Sequence, residues 1–176
     1  MPLPYPLPSL EPAWVAQPLV RPAEVAAYIP QQHPFALIDT LYHCLPEQAW
    51  AGLLVRADHL LVQQHYLSEA GIIESMAQAM ALKSGYEARQ QSAAPPRVGF
   101  IAALKEVQIH ALAPVGSTLV THVQVLLQAL DVLVIKATCG YDRTPVAQCE
   151  MRLFLEPLPA GPAPAAAALP AATYVN

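Results

Sequence analysis

Residues 68–86, SEAGIIESMAQAMALKSGY, decide the fold of this chain. The segment is rich in Ala, Met, Glu, Gln and Leu and contains no proline, so its composition predicts an α-helix. Ser68 can cap the start of this helix, and Gly85 suits its end. Apolar residues point in every direction at about 100° per residue, which is typical of a helix buried within a fold.

The sequence on either side of this helix predicts strands and short turns. The predicted strands are residues 35–42, 49–56, 106–111, 118–127, 132–141 and 147–155. Their connecting turns are short enough for antiparallel neighbours. A single sheet wrapped round one helix would bury all these apolar faces, so we predict an α+β architecture.

The composition separates one domain from two extensions. Hydrophobic residues make up 55% of the chain and charged residues 12%, and many of its 19 prolines lie near the ends. We expect a proline-rich extension over residues 1–22, extended along a surface, and a folded domain over residues 23–156. The Pro/Ala-rich tail, residues 157–176, has few large apolar groups and is expected to be disordered.

Charge and cysteine usage exclude several classes of protein. The net charge of −4 disfavours a nucleic-acid partner. No apolar run is long enough to span a membrane, and the first residues make a poor secretory signal, so we expect a cytoplasmic location. Cys44, Cys139 and Cys149 have no C-x-x-C spacing, which argues against a disulfide framework and a zinc site. No metal site is expected.

The polar residues of the buried helix are the candidates for chemistry. Glu74 and Gln78 are four residues apart and therefore share one face. An ionisable group in an apolar helix is costly unless it is paired or functional, so Glu74 either lies at the rim, solvated or paired with Lys83 or an Arg, or does chemistry. His65, just before the helix, is either a loop histidine or a catalytic group.

Three motifs resemble the β-hydroxyacyl-acyl-carrier-protein dehydratases of the FabZ type, which have the hotdog fold. Residues 28–39, YIPQQHPFALID, resemble that family's "LPHRYPFLLVD", and residues 72–79, IIESMAQA, resemble its "IIEAMAQA". Residues 99–102 and 114–117, GFIA and PVGS, are similar to its "FAGI…PVxPGD" segment. The resemblance covers about residues 23–156 and is closer still to the dehydratase-like hotdog proteins of aryl-polyene gene clusters.

The resemblance implies a catalytic pair and a reaction. Glu74 matches the family's catalytic Glu, and His65 can be laid on its catalytic His. His65 would remove the α proton of a 3-hydroxyacyl thioester, and Glu74 would protonate the departing hydroxyl or hold a water on it. Backbone N–H groups near Gly71 would polarise the thioester oxygen, and Gln78 matches the family's glutamine.

In that family the His and Glu of one site come from different subunits, so a dimer is implied. The chain departs from the family in the loop between His65 and the helix, where the "PGHPVMPG" run is missing. Gln31 also stands in the place of the "LPH" histidine.

Three functions follow as alternatives. The first is a dehydratase of fatty acid or polyene synthesis, with no cofactor of its own and a substrate carried on the phosphopantetheine of an acyl carrier protein. The acyl chain would contact Phe35, Met76, Met80 and Phe100, and the acidic carrier would contact Arg56, Lys83, Arg89 and Arg97. The second is a thioesterase in which Glu74 activates water, and the third a non-catalytic hotdog subunit paired with an active homologue.

Overall fold

A computed structural model describes residues 7–91 and 99–156 of the chain. One long antiparallel sheet curves around one long helix, as the α+β prediction requires. In chain order the elements are α1 (Pro12–Ala16), a 3₁₀ helix (Val25–Ala27), β1 (Thr40–Leu45), β2 (Gln48–Leu54), β3 (Val62–Gln63), β4 (Tyr66–Leu67), α2 (Glu69–Gln91), β5 (Gly99–Ile109), β6 (Ala113–Pro114), β7 (Thr118–Ala129), β8 (Val132–Tyr141) and β9 (Thr144–Leu155). The predicted tail at residues 157–176 and the first six residues lie outside the described part.

The strands form a large sheet and a small one. The six-stranded sheet has the order β1-β2-β7-β8-β9-β5, and β3, β4 and β6 make a three-stranded sheet beside the start of α2. The strand predicted at residues 132–141 is confirmed at both ends. The first strand begins at Thr40 and not at Phe35, because the residues before it form a turn and then pair with a side chain of α2.

Helix α2 begins where the sequence predicts and ends later. The Gly71 N–H donates to Ser68 Oγ at 3.3 Å, which satisfies one of the unpaired donors at the helix start. The helix runs on to Gln91, so the prediction that Gly85 ends it is wrong. Gly85 is buried, and a Cβ there would overlap the Tyr28 carbonyl, so the position needs glycine for close approach of backbone.

The core lies between α2 and the concave face of the sheet. The apolar side chains that fill it come from the helix (Ile72, Met76, Ala79, Leu82) and from the strands (Leu119, Leu133, Ile135, Met151). Several α2 side chains are only half-buried, including Glu74 and Ala77, and these line a cavity. The predicted burial is therefore confirmed for 10 of the 23 helix residues, and four of the half-buried ones, Glu74, Ala77, Ala81 and Ser84, line the candidate site.

The described part of the N-terminal extension packs on the outside of the sheet. Trp14 of α1 stacks on His43 of β1 with ring centroids 4.1 Å apart, and Val20 forms a β-bridge with Leu41. The described residues 7–22 therefore contact the sheet, and residues 12–16 among them are helical and not extended.

Candidate active site

A cavity of about 340 Å³ lies against one face of α2. Its other walls are the segment before β1, the start of β5 and the end of β9. The polar side chains that line it are Gln31, Glu74, Gln78 and Ser84; the apolar ones are Pro30, Phe35, Ala77, Met80, Ala81, Phe100, Ile101, Leu153 and Leu155. A mostly apolar space with a few polar groups is typical of a small-molecule site.

Gln78 holds the polar end of this cavity together. Its Nε2 donates to Glu74 Oε1 at 2.8 Å and to the Phe35 carbonyl at 2.9 Å, and its Oε1 accepts from the Leu37 N–H at 2.6 Å. Gln78 and its bond to the Leu37 N–H are buried, whereas its bonds to Glu74 and to the Phe35 carbonyl are partly buried. One carboxamide therefore fixes the Glu74 carboxylate and ties the segment before β1 to the helix.

Glu74 lines the cavity and is half-buried. Among the described residues its hydrogen-bond partner is Gln78, while Lys83 pairs with Glu87 and with the Pro46 carbonyl. The reading in which Lys83 neutralises Glu74 is thus wrong. Glu74 presents a carboxylate to a mostly apolar space, which is the arrangement expected of an acid–base group.

His65 lies outside the cavity of its own chain. It is exposed, sits in the turn between β3 and β4 with φ +66°, and its carbonyl accepts from the Val115 N–H at 2.9 Å. Among the described residues, His65 is not one of those that line the cavity beside Glu74. The assignment of His65 as a base therefore stays a prediction that depends on a second subunit.

Gly71 and three of the four predicted acyl-binding residues have clear positions. Gly71 is buried at the helix start, where a Cβ would overlap the Leu67 side chain, and its N–H already serves the Ser68 cap. Phe35, Met80 and Phe100 line the cavity. Met76 is different.

The Met76 side chain lies in the core, fully buried, with its sulfur 3.7 Å from Cys149 Sγ. It is not among the residues that line the cavity. The prediction that Met76 contacts an acyl chain is therefore wrong for this cavity, because its side chain points toward the sheet and its neighbour on the next turn, Met80, faces the open space.

Not all of the four basic residues predicted to contact a carrier protein are available on the surface. Lys83 is 1% exposed, so the prediction that it contacts a carrier protein is wrong. Its ammonium group bonds within the fold, as described above. Arg56 is exposed beside Asp58 at 3.6 Å, and the Arg89 guanidinium lies 5.0 Å from the centre of the Tyr28 ring. Arg97 lies outside the described residues.

Burial controls the ionisation of other groups near the core. It raises the pKa of Cys44 to about 11 and that of Cys149 to about 12, and it also raises the pKa of Cys139. Burial lowers the pKa of His59, with a further contribution from Arg56, and lowers that of His122. No group of three metal-binding side chains occurs within residues 7–91 and 99–156.

Gln31 and Ser84 are cavity residues that the sequence reasoning did not assign to the site. For Gln31 a signal existed, since it replaces a histidine in a motif that otherwise matches. For Ser84 the helical spacing from Glu74 and Gln78 was the signal, because residues 74, 78, 81 and 84 share one face of a helix.

Comparisons with known proteins agree with this architecture. Residues 23–160 match the protein family described as ApeP-like, ApeP dehydratase. A search of curated proteins gives no significant match. A solved structure of the dehydratase heterocomplex ApeI:P from Xenorhabdus doucetiae contains a chain that is 20% identical, covers 76% of this chain and 91% of its own, and superposes with a TM-score of 0.70.

More distant structures share the fold alone. The PaaI protein of Escherichia coli is 15% identical, with coverage of 65% of this chain and 80% of its own and a TM-score of 0.51. A hypothetical thioesterase from Streptococcus pneumoniae, solved with coenzyme A, is 9% identical, with coverage of 70% and 88% and a TM-score of 0.53. The predicted hotdog fold is therefore confirmed. In the part of the chain that the structure describes, no helix is long and apolar enough to cross a membrane.

Proposed function

Because this chain belongs to the ApeP-like dehydratase family, we propose that it takes part in removing water from a 3-hydroxyacyl thioester to give a trans-2-enoyl thioester. The acyl group is carried on the phosphopantetheine of an acyl carrier protein, in fatty acid or polyene synthesis in the cytoplasm. The observation that carries this proposal is Glu74, which Gln78 holds at the wall of an apolar cavity.

Glu74 suits the proton transfer at the hydroxyl. Elimination breaks the Cα–H bond and the C3–O bond, and the departing oxygen must receive a proton to leave as water. A carboxyl group at the wall of a mostly apolar cavity, within reach of the bound hydroxyl, can transfer that proton. The Gln78 bond orients the group, and the cavity beyond it toward Met80 and Phe100 holds the acyl chain.

The base comes from a second hotdog subunit in this proposal. His65 does not line the cavity of its own chain, so a base must arrive from elsewhere. Strand β5 is the edge of the large sheet, and its apolar side chains Phe100, Ile101, Leu104 and Val107 are exposed. A long apolar edge strand is expected to be covered by another chain.

Pairing at β5 also completes the site, because the first residues of β5 form one wall of the cavity. A partner at this edge closes that wall and brings its own loops to Glu74. The partner is a second copy of this chain, which contributes His65, or a different hotdog protein, as in the ApeI:P heterocomplex. The carrier protein docks near the cavity with Arg56, Arg89 and Arg97 as its basic contacts.

The heterocomplex raises a second candidate function. If the partner supplies both the base and the acid, this chain is a non-catalytic subunit that stabilises or positions an active homologue. The position of His65 outside the cavity and the heterocomplex found for the similar structure favour this candidate.

Hydration of an enoyl thioester separates these candidates. The reverse reaction is followed as loss of ultraviolet absorbance of a trans-2-enoyl carrier-protein thioester, and thiol release is followed in parallel. The enzyme is the purified chain alone, and then the chain mixed with a hotdog dehydratase from the same cell. His65→Asn tests the base, because asparagine tolerates the positive φ of this position, and Gln64→Asn in the same turn is the matched control.

We expect hydration by the assembled protein, with no thiol release. If the chain is active by itself, His65→Asn should lower the rate at least about a hundredfold, the usual scale of general-base catalysis, while Gln64→Asn keeps it. Rapid release of thiol would refute the dehydratase and favour a thioesterase. Activity only in the mixture, unchanged by His65→Asn, would favour the subunit candidate.

A further inference from the structure

Gln31 carries a buried acceptor that the fold does not use. Its Oε1 is shielded from solvent, and no donor of the described residues reaches it. A buried polar atom without a partner costs about 1–3 kcal/mol, and native structures rarely keep one without a reason. Since the Gln31 side chain also lines the cavity beside α2, the missing partner is expected on a ligand.

The neighbouring polar groups cannot satisfy this atom. The Gln78 amide has two N–H bonds, and both are used, one to Glu74 and one to the Phe35 carbonyl. Glu74 makes no hydrogen bond to Gln31 Oε1, and as the acid of the proposed elimination it gives its proton to the departing oxygen. The Ser84 hydroxyl, which also lines the cavity, is not bonded to Gln31 Oε1 either, and the wall residues Pro30 and Phe35 are apolar.

We propose that Gln31 Oε1 accepts a hydrogen bond from the hydroxyl group of the 3-hydroxyacyl substrate. This inference rests on the proposed function and adds a specificity residue to it. The 3-hydroxyl is the donor that an acyl chain brings into such a cavity, and a saturated or enoyl chain brings none. The terminal torsion of glutamine is soft, so the carboxamide turns readily to meet the ligand.

The same bond distinguishes substrate from product. In the elimination the Cα–H and C3–O bonds break, and the hydroxyl leaves as water after it gains a proton. The enoyl product lacks a donor and leaves Gln31 unpaired again, so the cavity binds it more weakly. A site built to bond a hydroxyl rejects an analogue that lacks it.

Binding of two unreactive ligands tests the proposal. The ligands are pantetheine analogues in which an amine replaces the thiol, acylated with a 3-hydroxyoctanoyl or an octanoyl group. Each therefore has an amide in place of the thioester, so that elimination does not occur. Calorimetry gives Kd for both with the full chain, in the assembly in which it purifies. The variants are Gln31→Met, which keeps length and removes the polar atoms, and Gln32→Met, the exposed neighbour, as control.

We expect the wild type and Gln32→Met to bind the hydroxy ligand about fivefold to tenfold more tightly than the saturated one, the range of one neutral hydrogen bond. Gln31→Met should reduce this ratio to about one by weakening the hydroxy ligand alone. Equal affinities in the wild type, or an unchanged ratio in Gln31→Met, would overturn the role of Gln31 and leave the proposed function standing. Binding of neither ligand would overturn both.

Discussion

Replacing Gln78 by methionine tests the central position of this side chain in the fold. Methionine has similar length and volume, so the change removes hydrogen bonds without opening a large cavity. The Leu37 N–H, which is fully buried, loses its acceptor, and the Phe35 carbonyl loses its donor. An unpaired buried group costs about 1–3 kcal/mol, and the Phe35 carbonyl is nearer to solvent, so together we expect a loss of about 2–4 kcal/mol.

Urea unfolding followed by far-UV circular dichroism measures this loss as a lower midpoint with an unchanged m value. In a domain of this size the melting temperature should fall by about 5–15 °C. Gln90→Met, an exposed glutamine in the last turn of the same helix, is the matched control and should change stability by less than about 0.5 kcal/mol. A Gln78→Met variant as stable as that control would refute the reasoning, because it would mean that water or another group satisfies the Leu37 N–H.

Three further predictions concern packing and ionisation. Gly85→Ala should lower the melting temperature, although alanine normally stabilises a helix, because the added Cβ overlaps the Tyr28 carbonyl; a rise in melting temperature would contradict this packing. Native protein at pH 8 should resist iodoacetamide at Cys44 and Cys149, whose pKa values burial raises to about 11 and about 12, and mass spectrometry should find both alkylated only after denaturation. Burial lowers the pKa of His59 from 6.5, so as the pH falls the unfolded chain takes up a proton before the folded chain does. The free energy of unfolding should therefore fall as the pH drops below about 6.5. His59→Gln should flatten this dependence on pH, and an unchanged slope would contradict the assignment to His59.

The sequence predicts the helix and most strands because local pattern and final environment agree there. Helix α2 contains no proline and is rich in helix-forming residues, and residues 132–141 form the strand predicted from them. The prediction for residues 35–42 fails in its first half because those backbone groups bond to Gln78, a partner 41 residues away that no local pattern reveals. The prediction that Gly85 ends the helix fails for the same reason, since glycine is needed there because of the Tyr28 carbonyl, which is distant in the sequence.

The site is harder to predict than the fold. Glu74 and Gln78 are identified because polar residues in an apolar helix are unusual and their spacing puts them on one face. Lys83 is misassigned because charge alone suggests a surface, whereas its stem is buried and its ammonium group is paired inside. Cavity walls depend on which segments meet in space, so the motif marks Gln31 as a departure but does not reveal that its side chain lines the cavity.

The rate of Glu74→Gln tests the central claim most directly. The amide keeps the shape of the side chain and can still bond to Gln78, but it cannot transfer a proton at neutral pH. Glu69→Gln, an exposed acid in the first turn of the same helix, is the matched control. We predict that the assembled protein with Glu74→Gln loses enoyl-thioester hydration by at least about a hundredfold, with melting temperature unchanged, while Glu69→Gln keeps its activity. Hydration within threefold of the wild type in Glu74→Gln would contradict the account, because the acid would then lie elsewhere.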